Sequence, residues 1–116
     1  MKICSLKSKI HRASVTNTDL DYIGSIAIDE ELMEKSGIKI NEKVLVVNIT
    51  KGNRWETYAI PAKMGSRIIS PNGGGSRLCI VGDILVIMSF AYVDSSENVT
   101  PKIIVLDEKN EVINNE

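Results

Sequence analysis

The segment Tyr22-Ile23-Gly24-Ser25 contains a peptide bond that can rearrange, because an unhindered glycine carbonyl precedes an internal hydroxyl nucleophile. If the backbone holds the Ser25 hydroxyl against the Gly24 carbonyl, attack gives a five-membered oxyoxazolidine that collapses to an ester. Proximity supplies most of the acceleration, and a hydrogen-bond donor to the oxygen of this intermediate supplies much of the rest. Elimination from the ester gives dehydroalanine at position 25, and hydrolysis then leaves a pyruvoyl group on the new N-terminus.

Charged and aromatic side chains elsewhere could complete a site. Arg54 can grip a carboxylate through two parallel N–H bonds, and Lys9 adds a positive point charge, so together they suit a substrate with two carboxylates. Taken singly, both are typical of solvated surface charges, Tyr58 is typical of a strand residue and His11 of a satisfied structural group. A Gly-Ser pair alone is likewise typical of a turn that enters a strand, so only the joint arrangement favours a site.

The elements that must position these residues are mostly strands. Segments rich in Val, Ile and Tyr recur at short spacing and predict strands at 7–16, 25–29, 43–50, 55–63, 67–70, 83–93 and 102–107. One short helix is predicted between Asp29, which can cap it, and Gly37, which can terminate it. The sequence therefore predicts an all-β fold with one or two short helices.

The connections are of three kinds. Residues 50–53 (Thr-Lys-Gly-Asn) predict a hairpin turn, residues 71–76 (Pro-Asn-Gly-Gly-Gly-Ser) a segment too flexible for either regular element, and the polar tail after Asp107 a frayed end. Residues 41–47 and 81–87 each place a turn before four apolar residues. This similarity arises by chance about as often as not, and if real it suggests two related halves in a small closed barrel.

Length and composition narrow the class of protein. A chain of 116 residues suits one domain spanning 1–116, and 43% hydrophobic with 25% charged residues is ordinary for a globular protein. The net charge of −1 argues against recruitment of nucleic acid or an anionic membrane. The charged N-terminus lacks the apolar core of a signal peptide, and no apolar run approaches the roughly 20 residues that span a bilayer. Cys4, Cys79 and a single His11 predict neither a disulfide nor a metal site, so we expect a cytoplasmic protein.

The chain resembles the aspartate 1-decarboxylase proenzyme family from about residue 7 to residue 90. The resemblance is carried in order and spacing by Lys9-x-His11-Arg12, Thr16, Asp19-Leu20, Tyr22-x-Gly24-Ser25, Ala27-Ile28-Asp29, Thr57-Tyr58-Ala59-Ile60, Gly65-Ser66-Arg67-Ile68-Ile69-Ser70, Asn72-Gly73 and Val81-Gly82-Asp83-Ile84. The combination of the Tyr-x-Gly-Ser segment with Gly-Ser-Arg-Ile-Ile-Ser is highly specific. The resemblance implies a double-psi β-barrel, a homotetramer, self-cleavage into a β chain (1–24) and an α chain (25–116), and conversion of L-aspartate to β-alanine and CO₂ for pantothenate and coenzyme A supply.

The resemblance also implies roles for individual residues. Ser25 becomes the pyruvoyl group, which forms a Schiff base with the substrate and accepts electrons as the α-carboxylate leaves. Gly24 supplies the carbonyl that is cleaved, Thr57 the donor to the oxyoxazolidine, and Tyr58 the proton that ends turnover.

Further positions are implied for substrate binding and for support of the cleavage segment. Arg54, Lys9 and Thr57 would bind the substrate, together with the backbone of Asn72, Gly73, Gly74 and Gly75, where glycine lets a ligand approach closely. His11 and Tyr22 flank the cleavage segment and would support it, without an assigned proton transfer.

Two positions depart from the family pattern. Val47 stands where some members carry an aromatic residue, which would enlarge one side of the pocket, and Gly74-Gly75 stands where many carry alanines, which would loosen the loop. Whether cleavage is spontaneous or needs a maturation factor, as in some bacterial members, is left open by the resemblance.

Two other classes of function compete with the enzyme. The chief alternative is a non-catalytic barrel that binds a small ligand or a partner protein and keeps Gly24-Ser25 intact. A nucleic-acid-binding barrel would need a basic stripe interleaved with aromatics, whereas the chain has one Trp, one Phe, three Tyr and balanced charge.

Overall fold

The computed structural model describes residues 1–115 of the chain. Within that range the elements follow the order β1 (Lys2–Ser14), β2 (Ser25–Asp29), α1 (Glu30–Ser36), β3 (Lys43–Asn48), β4 (Arg54–Ala62), β5 (Ile69–Asn72), a 3-10 helix (Gly73–Arg77), β6 (Ile84–Asp94), β7 (Lys102–Leu106) and β8 (Val112–Asn115). The strands form one sheet in the order β5-β2-β4-β3-β6-β1-β7-β8. The protein is therefore mostly β, as the sequence predicts.

The core lies on one face of this sheet. Ile10, Ile87 and Val46 pair side by side across β1, β6 and β3, and all three are fully buried. On β2, Ile26 and Ile28 are also fully buried, so this strand is fixed by apolar contacts on both sides of Ala27. Burial of β2 matters for the site because Ser25 is its first residue.

The predicted helix is confirmed with both of its end residues. Asp29 caps α1, because its carboxylate accepts a hydrogen bond from the Glu31 N–H at 2.8 Å. Gly37 ends the helix with a left-handed φ of 78°, a conformation that glycine adopts without the usual side-chain penalty. Leu32 and Met33 bury the inner face.

The end of β1 is connected to the far edge of the sheet. The Thr16 N–H donates to the Ile69 carbonyl at 2.9 Å, and the Ile69 N–H donates to the Thr16 hydroxyl at 2.9 Å. Since β5 is the edge strand and β1 is sixth in the order, these bonds require a strongly curved sheet. The two similar stretches of sequence lie on the neighbouring antiparallel strands β3 and β6.

Two sequence predictions about irregular segments were wrong. Residues 71 and 72 complete β5, and residues 73–77 form a 3-10 helix. This segment is held in place because the Gly73 N–H donates to the Asp19 carbonyl at 2.8 Å and the Gly73 carbonyl accepts from the Ser76 hydroxyl at 2.6 Å. The tail is not frayed over its described part, since β8 pairs with β7 and places Val112 opposite Leu106. Strand β1 also starts five residues earlier than predicted, at Lys2, because its first half pairs with β6.

Candidate active site

The Ser25 hydroxyl is buried at the start of β2 and held by two hydrogen bonds. Its Oγ accepts from Asn72 Nδ2 at 3.1 Å and donates to the Ile23 carbonyl at 3.4 Å. Asn72 is itself oriented, because its Oδ1 accepts from the Ser70 hydroxyl at 3.1 Å. The side chain of Ser25 is 2% exposed, so water has little access to the hydroxyl next to the Gly24 carbonyl.

The backbone of the glycine loop, residues 72–75, packs directly on the cleavage segment. A Cβ at Gly73 would lie 2.8 Å from Gly24 Cα and 3.2 Å from the Tyr22 carbonyl oxygen, and Gly73 has a φ of +60°. Its N–H donates to the Asp19 carbonyl at 2.8 Å, where Asp19 and Asn72 form an isolated parallel bridge. This contact leaves no room for a Cβ at position 73, so glycine is required here.

Strand β4 carries three of the predicted site residues on two faces. Arg54 and Tyr58 lie on its exposed face, while Thr57 is half-buried and shares the inner face with Trp55. The parallel β2–β4 ladder begins at Ile26–Ala59, so its register, continued backwards, sets Tyr58 level with Ser25 and Thr57 level with Gly24. This extrapolated register is the basis for proposing that Thr57 and Tyr58 serve the Gly24–Ser25 peptide bond.

The other end of the glycine loop lies against β4. A Cβ built on Gly75 would lie 2.7 Å from Trp55 Nε1, so the indole fills the space beside this glycine. Beyond the loop, the Leu78 carbonyl accepts from Asn48 Nδ2 and Asn53 Nδ2, both at 3.1 Å. The loop therefore spans from Ser25 to the residue next to Arg54 and is anchored at both ends.

The hydrogen-bonded sheet separates Lys9 and His11 from the rest of the site. Lys9 pairs with Met88 on β6, and two strands, β6 and β3, lie between β1 and β4. At about 4.8 Å per strand spacing, β1 and β4 are about 14 Å apart along the sheet. Within one chain, the pairing does not bring Lys9 beside Arg54.

His11 is half-buried on the same strand as Lys9. Burial lowers its pKa, and the positive charges of Lys9 and Arg12 lower it further. Its Nδ1 is buried and has no hydrogen-bond partner within the described part of the chain. Both effects favour the uncharged ring, which suits a supporting role better than the charged ring would.

The cleavage segment exposes two large side chains beside an open groove. Tyr22 is 52% exposed and Ile23 is 79% exposed, although both are apolar or largely apolar side chains. A groove of about 480 Å³ beside them is lined by Tyr22 and Asn72, but Ser25, Tyr58 and Arg54 are not among its lining residues. Within one chain Arg54, Tyr58 and Tyr22 are exposed whereas Ser25 is buried, and the groove does not bring these residues together.

Sequence reasoning missed two contributors to this arrangement. Trp55 was treated only as a strand residue, although the one tryptophan of the chain next to a candidate Arg54 was a usable signal. Asp19 was quoted without a role, and because it acts through its backbone carbonyl, its residue type gave no signal.

Two further features bear on the class of site. Across residues 1–115, no group of three or more His, Cys, Asp or Glu side chains is arranged to hold a metal ion. In the same range, none of the helices has the length and apolar character needed to cross a membrane.

Comparisons with known proteins agree on one family. The family described as "Aspartate decarboxylase" matches residues 1–113. The chain is 50% identical over 115 residues to aspartate 1-decarboxylase of Carboxydothermus hydrogenoformans, covering 97% of this chain and 91% of that protein. It is 51% identical over 116 residues to the protein of the same name from Acetivibrio thermocellus, covering 98% and 92%. It is also 52% identical over 111 residues to that of Thermoanaerobacter pseudethanolicus, covering 94% and 95%.

Proposed function

The chain belongs to the aspartate decarboxylase family, and we propose that it cleaves its own Gly24–Ser25 peptide to become a pyruvoyl enzyme. It is an aspartate 1-decarboxylase, a lyase that converts L-aspartate to β-alanine and CO₂ and makes β-alanine for pantothenate. The family is pyruvoyl-dependent. Formed at residue 25, the pyruvoyl group would supply a carbonyl for condensation with the substrate amine, with loss of water, and an acceptor for the electrons of the bond to the leaving carboxylate.

The observation that carries the cleavage proposal is the buried Ser25 hydroxyl and its bond to Asn72. The 3.1 Å bond from Asn72 Nδ2 and the weaker bond to the Ile23 carbonyl limit the Ser25 rotamer. Gly73 limits the movement of Gly24 from the other side, because a Cβ on Gly73 would lie only 2.8 Å from Gly24 Cα. Restricting both reacting atoms is what an acyl shift needs, since proximity is its main source of acceleration.

Thr57 and Tyr58 would serve successive steps. Thr57, level with Gly24, would donate to the oxyanion that forms from the Gly24 carbonyl. Tyr58, level with Ser25 on the exposed face of β4, would protonate the carbanion that remains after CO₂ leaves. Thr57 on the inner face of β4 suits a role in cleavage within the chain, and Tyr58 on the exposed face suits a role towards the substrate.

The substrate carboxylates would be bound by Arg54 and Lys9, with backbone N–H groups of residues 72–75 lining the pocket. Arg54 lies four residues from Tyr58 on the same face of β4, which is about 13 Å along a strand. The Arg54 side chain and the bound substrate would together bridge this length. Lys9 is separated from Arg54 by two strands of the same chain, so we propose that the Lys9 of a neighbouring subunit contributes instead.

A homotetramer with sites between subunits would account for the exposed apolar side chains near the cleavage segment. Leu20, Tyr22 and Ile23 are each more than half exposed in the single chain. Their burial against another subunit would close the open side of the pocket. In such an assembly His11 and Tyr22 would support the cleavage segment.

The finer features of the family complete the proposal. The curved sheet, with Thr16 bonded to Ile69, is compatible with a closed double-psi β-barrel. Cleavage would divide the single domain 1–116 into chains 1–24 and 25–116, and the enzyme would work in the cytoplasm. A maturation factor is an optional partner that the first experiment can reveal.

That experiment is an intact-mass spectrum of the purified protein, combined with an assay for β-alanine. Two fragments, one ending at Gly24 and one starting with a pyruvoyl group, are expected together with turnover of L-aspartate. A single uncut mass that persists after addition of cell extract would contradict self-cleavage and favour the non-catalytic binding module. Cleavage only after extract is added would assign a maturation factor.

A further inference from the structure

The indole of Trp55 occupies the space beside Gly75. The three nearest atoms to a Cβ at this position all belong to that ring: Nε1 at 2.7 Å, Cε2 at 3.2 Å and Cδ1 at 3.5 Å. Non-bonded heavy atoms settle at about 3.5–4.0 Å, so an alanine would require the loop or the ring to move by about 0.8 Å or more. The contact is therefore tight enough to set the position of the loop.

The adjacent Gly74 provides an internal comparison. A Cβ on Gly74 would meet nothing within 4 Å, and neither Gly74 nor Gly75 has a positive φ. Backbone conformation therefore permits alanine at both positions, and only the indole distinguishes them. Position 75 has no room for a side chain because of the Trp55 ring, whereas the backbone conformation of the turn does not require glycine there.

Trp55 is tied to this place in the sheet. Its backbone pairs with Val46, a fully buried residue of β3, and its side chain packs against the hydrophobic core. The ring nitrogen is buried and has no hydrogen-bond partner within the described residues. A rigid ring anchored in the core is a better support for a loop than a mobile surface side chain.

We infer that Trp55 is a positioning residue, which supports Gly75 and thereby sets how far the residue 72–75 backbone stands from β4. This inference rests on the proposed function, because that backbone is proposed to line the aspartate pocket. Asn72 at the start of the same loop holds the Ser25 hydroxyl, so a displaced loop affects the pocket at one end and the reacting residue at the other. The size of residue 55 then determines which residue is tolerated at position 75.

The first test uses Trp55 as its own reporter, since it is the only tryptophan of the chain. Gly75→Ala is expected to shift the fluorescence emission maximum of Trp55 and to change its quenching by acrylamide. Gly74→Ala is the matched control and is expected to change neither. Equal spectra for wild type and Gly75→Ala would overturn the inference, and this result needs no enzymatic activity.

The second test is a double-mutant cycle on fully cleaved protein. Gly75→Ala is expected to lower kcat/KM for L-aspartate by about tenfold or more in the wild-type background, because displacements near 1 Å are costly in active sites. In the Trp55→Phe background, which lacks Nε1, the same change is expected to cost about threefold or less. A purely structural defect would reduce the yield of cleaved protein without this change in KM or kcat.

Failures of the two proposals are distinguishable. If wild-type protein neither cleaves nor decarboxylates, the proposed function fails, while the fluorescence comparison still decides the Trp55–Gly75 contact. If Gly75→Ala does not fold, recovery of folding in Trp55→Phe/Gly75→Ala supports the contact and failure of that double variant contradicts it. Equal losses of kcat/KM in both backgrounds would also contradict it.

Discussion

The two ends of β2 differ in how completely their polar side chains are hydrogen bonded, although only three residues separate them. At the first end, the Ser25 hydroxyl has one bond of 3.1 Å and one of 3.4 Å, next to a segment whose side chains are largely exposed. At the last end, the fully buried Asp29 carboxylate accepts four bonds of 2.7–2.9 Å, from the N–H groups of Glu31, Gly65 and Arg67 and from the Arg67 guanidinium.

If Ser25 reacts as proposed, this difference separates reactivity from stability along one strand. A hydroxyl that must attack its neighbour needs to be oriented while one oxygen lone pair stays free for the attack. A buried carboxylate needs complete pairing, since an unpaired buried charge is costly. Substitutions at the Ser25 end should therefore change cleavage and turnover with little loss of stability. Substitutions at the Asp29 end should lower stability with little effect on cleavage.

The strongest test of the comparison is Ser25→Ala. Without a hydroxyl no acyl shift can begin, so we expect complete loss of both cleavage and decarboxylation, with a thermal unfolding midpoint close to that of uncleaved wild type. Intact mass, a β-alanine assay and calorimetry report the three quantities. Retained turnover would exclude the pyruvoyl mechanism, and a large drop in the midpoint would show that Ser25 is a structural residue.

Tyr58→Phe should separate turnover from processing at the same end of the strand. The variant is expected to cleave normally, because the phenol serves only the later protonation, and to lose roughly 10²- to 10⁴-fold in kcat. Steady-state rates on fully cleaved protein, compared with cleaved wild type, measure this. Unchanged kcat would require another proton donor.

The sequence predicted the regular elements more reliably than the irregular ones. The short helix between Asp29 and Gly37 followed from local chemistry, since the cap and the terminating glycine act within the segment itself. The 3-10 helix at Gly73–Arg77 did not, because its first N–H is satisfied by Asp19, more than fifty residues earlier in the chain. Such a partner is invisible to any local pattern.

The site was predictable to the same extent. The chemistry of Gly24-Ser25 indicates only that this bond can rearrange, and the residues around it are assigned through the resemblance to the aspartate 1-decarboxylase family. The bond from Asn72 to Ser25 and the fit of Gly75 against Trp55 depend on the register of β2, β4 and β5, which residue types alone do not determine. The proposed contribution of Lys9 depends on how subunits assemble, which neither residue types nor strand register determines.

Thr57→Val tests whether the inner face of β4 serves the cleavage step. The two side chains have nearly the same shape, so the fold should be kept, and loss of one donor to a developing oxyanion should slow cleavage by roughly 10²-fold. The time course of intact mass after synthesis measures this rate. Maturation at the wild-type rate would reassign the donor.

Asp29→Asn tests the opposite end of the strand. Asparagine can still cap α1, but it loses the negative charge that faces Arg67, a contact of 2.9 Å. Arg67 keeps Glu31 and Glu111 as partners, but the amide NH2 that replaces one carboxylate oxygen cannot accept the N–H groups that face it. Leaving buried donors without an acceptor costs about 1–3 kcal/mol each, so the free energy of unfolding in urea should fall by about 2 kcal/mol or more. Cleavage at Gly24–Ser25 should proceed as in wild type at low temperature, and a cleavage defect without a stability loss would contradict the separation.

The same substitution should change how stability depends on acid. Burial alone would raise the pKa of Asp29, but its hydrogen bonds to the Arg67, Glu31 and Gly65 N–H groups and to the Arg67 side chain lower it below the usual 3.8. A carboxyl whose pKa is lower in the folded state stabilises the fold above the unfolded pKa and loses that contribution as pH falls through the folded value. The free energy of unfolding of wild type should therefore decrease below about pH 4, and that of Asp29→Asn should decrease less steeply. Glu108→Gln, a change at an exposed carboxyl, is the control and should keep the wild-type slope of unfolding free energy against pH. Equal slopes in wild type and Asp29→Asn would mean that the Asp29 cluster is not the acid-sensitive part of the fold.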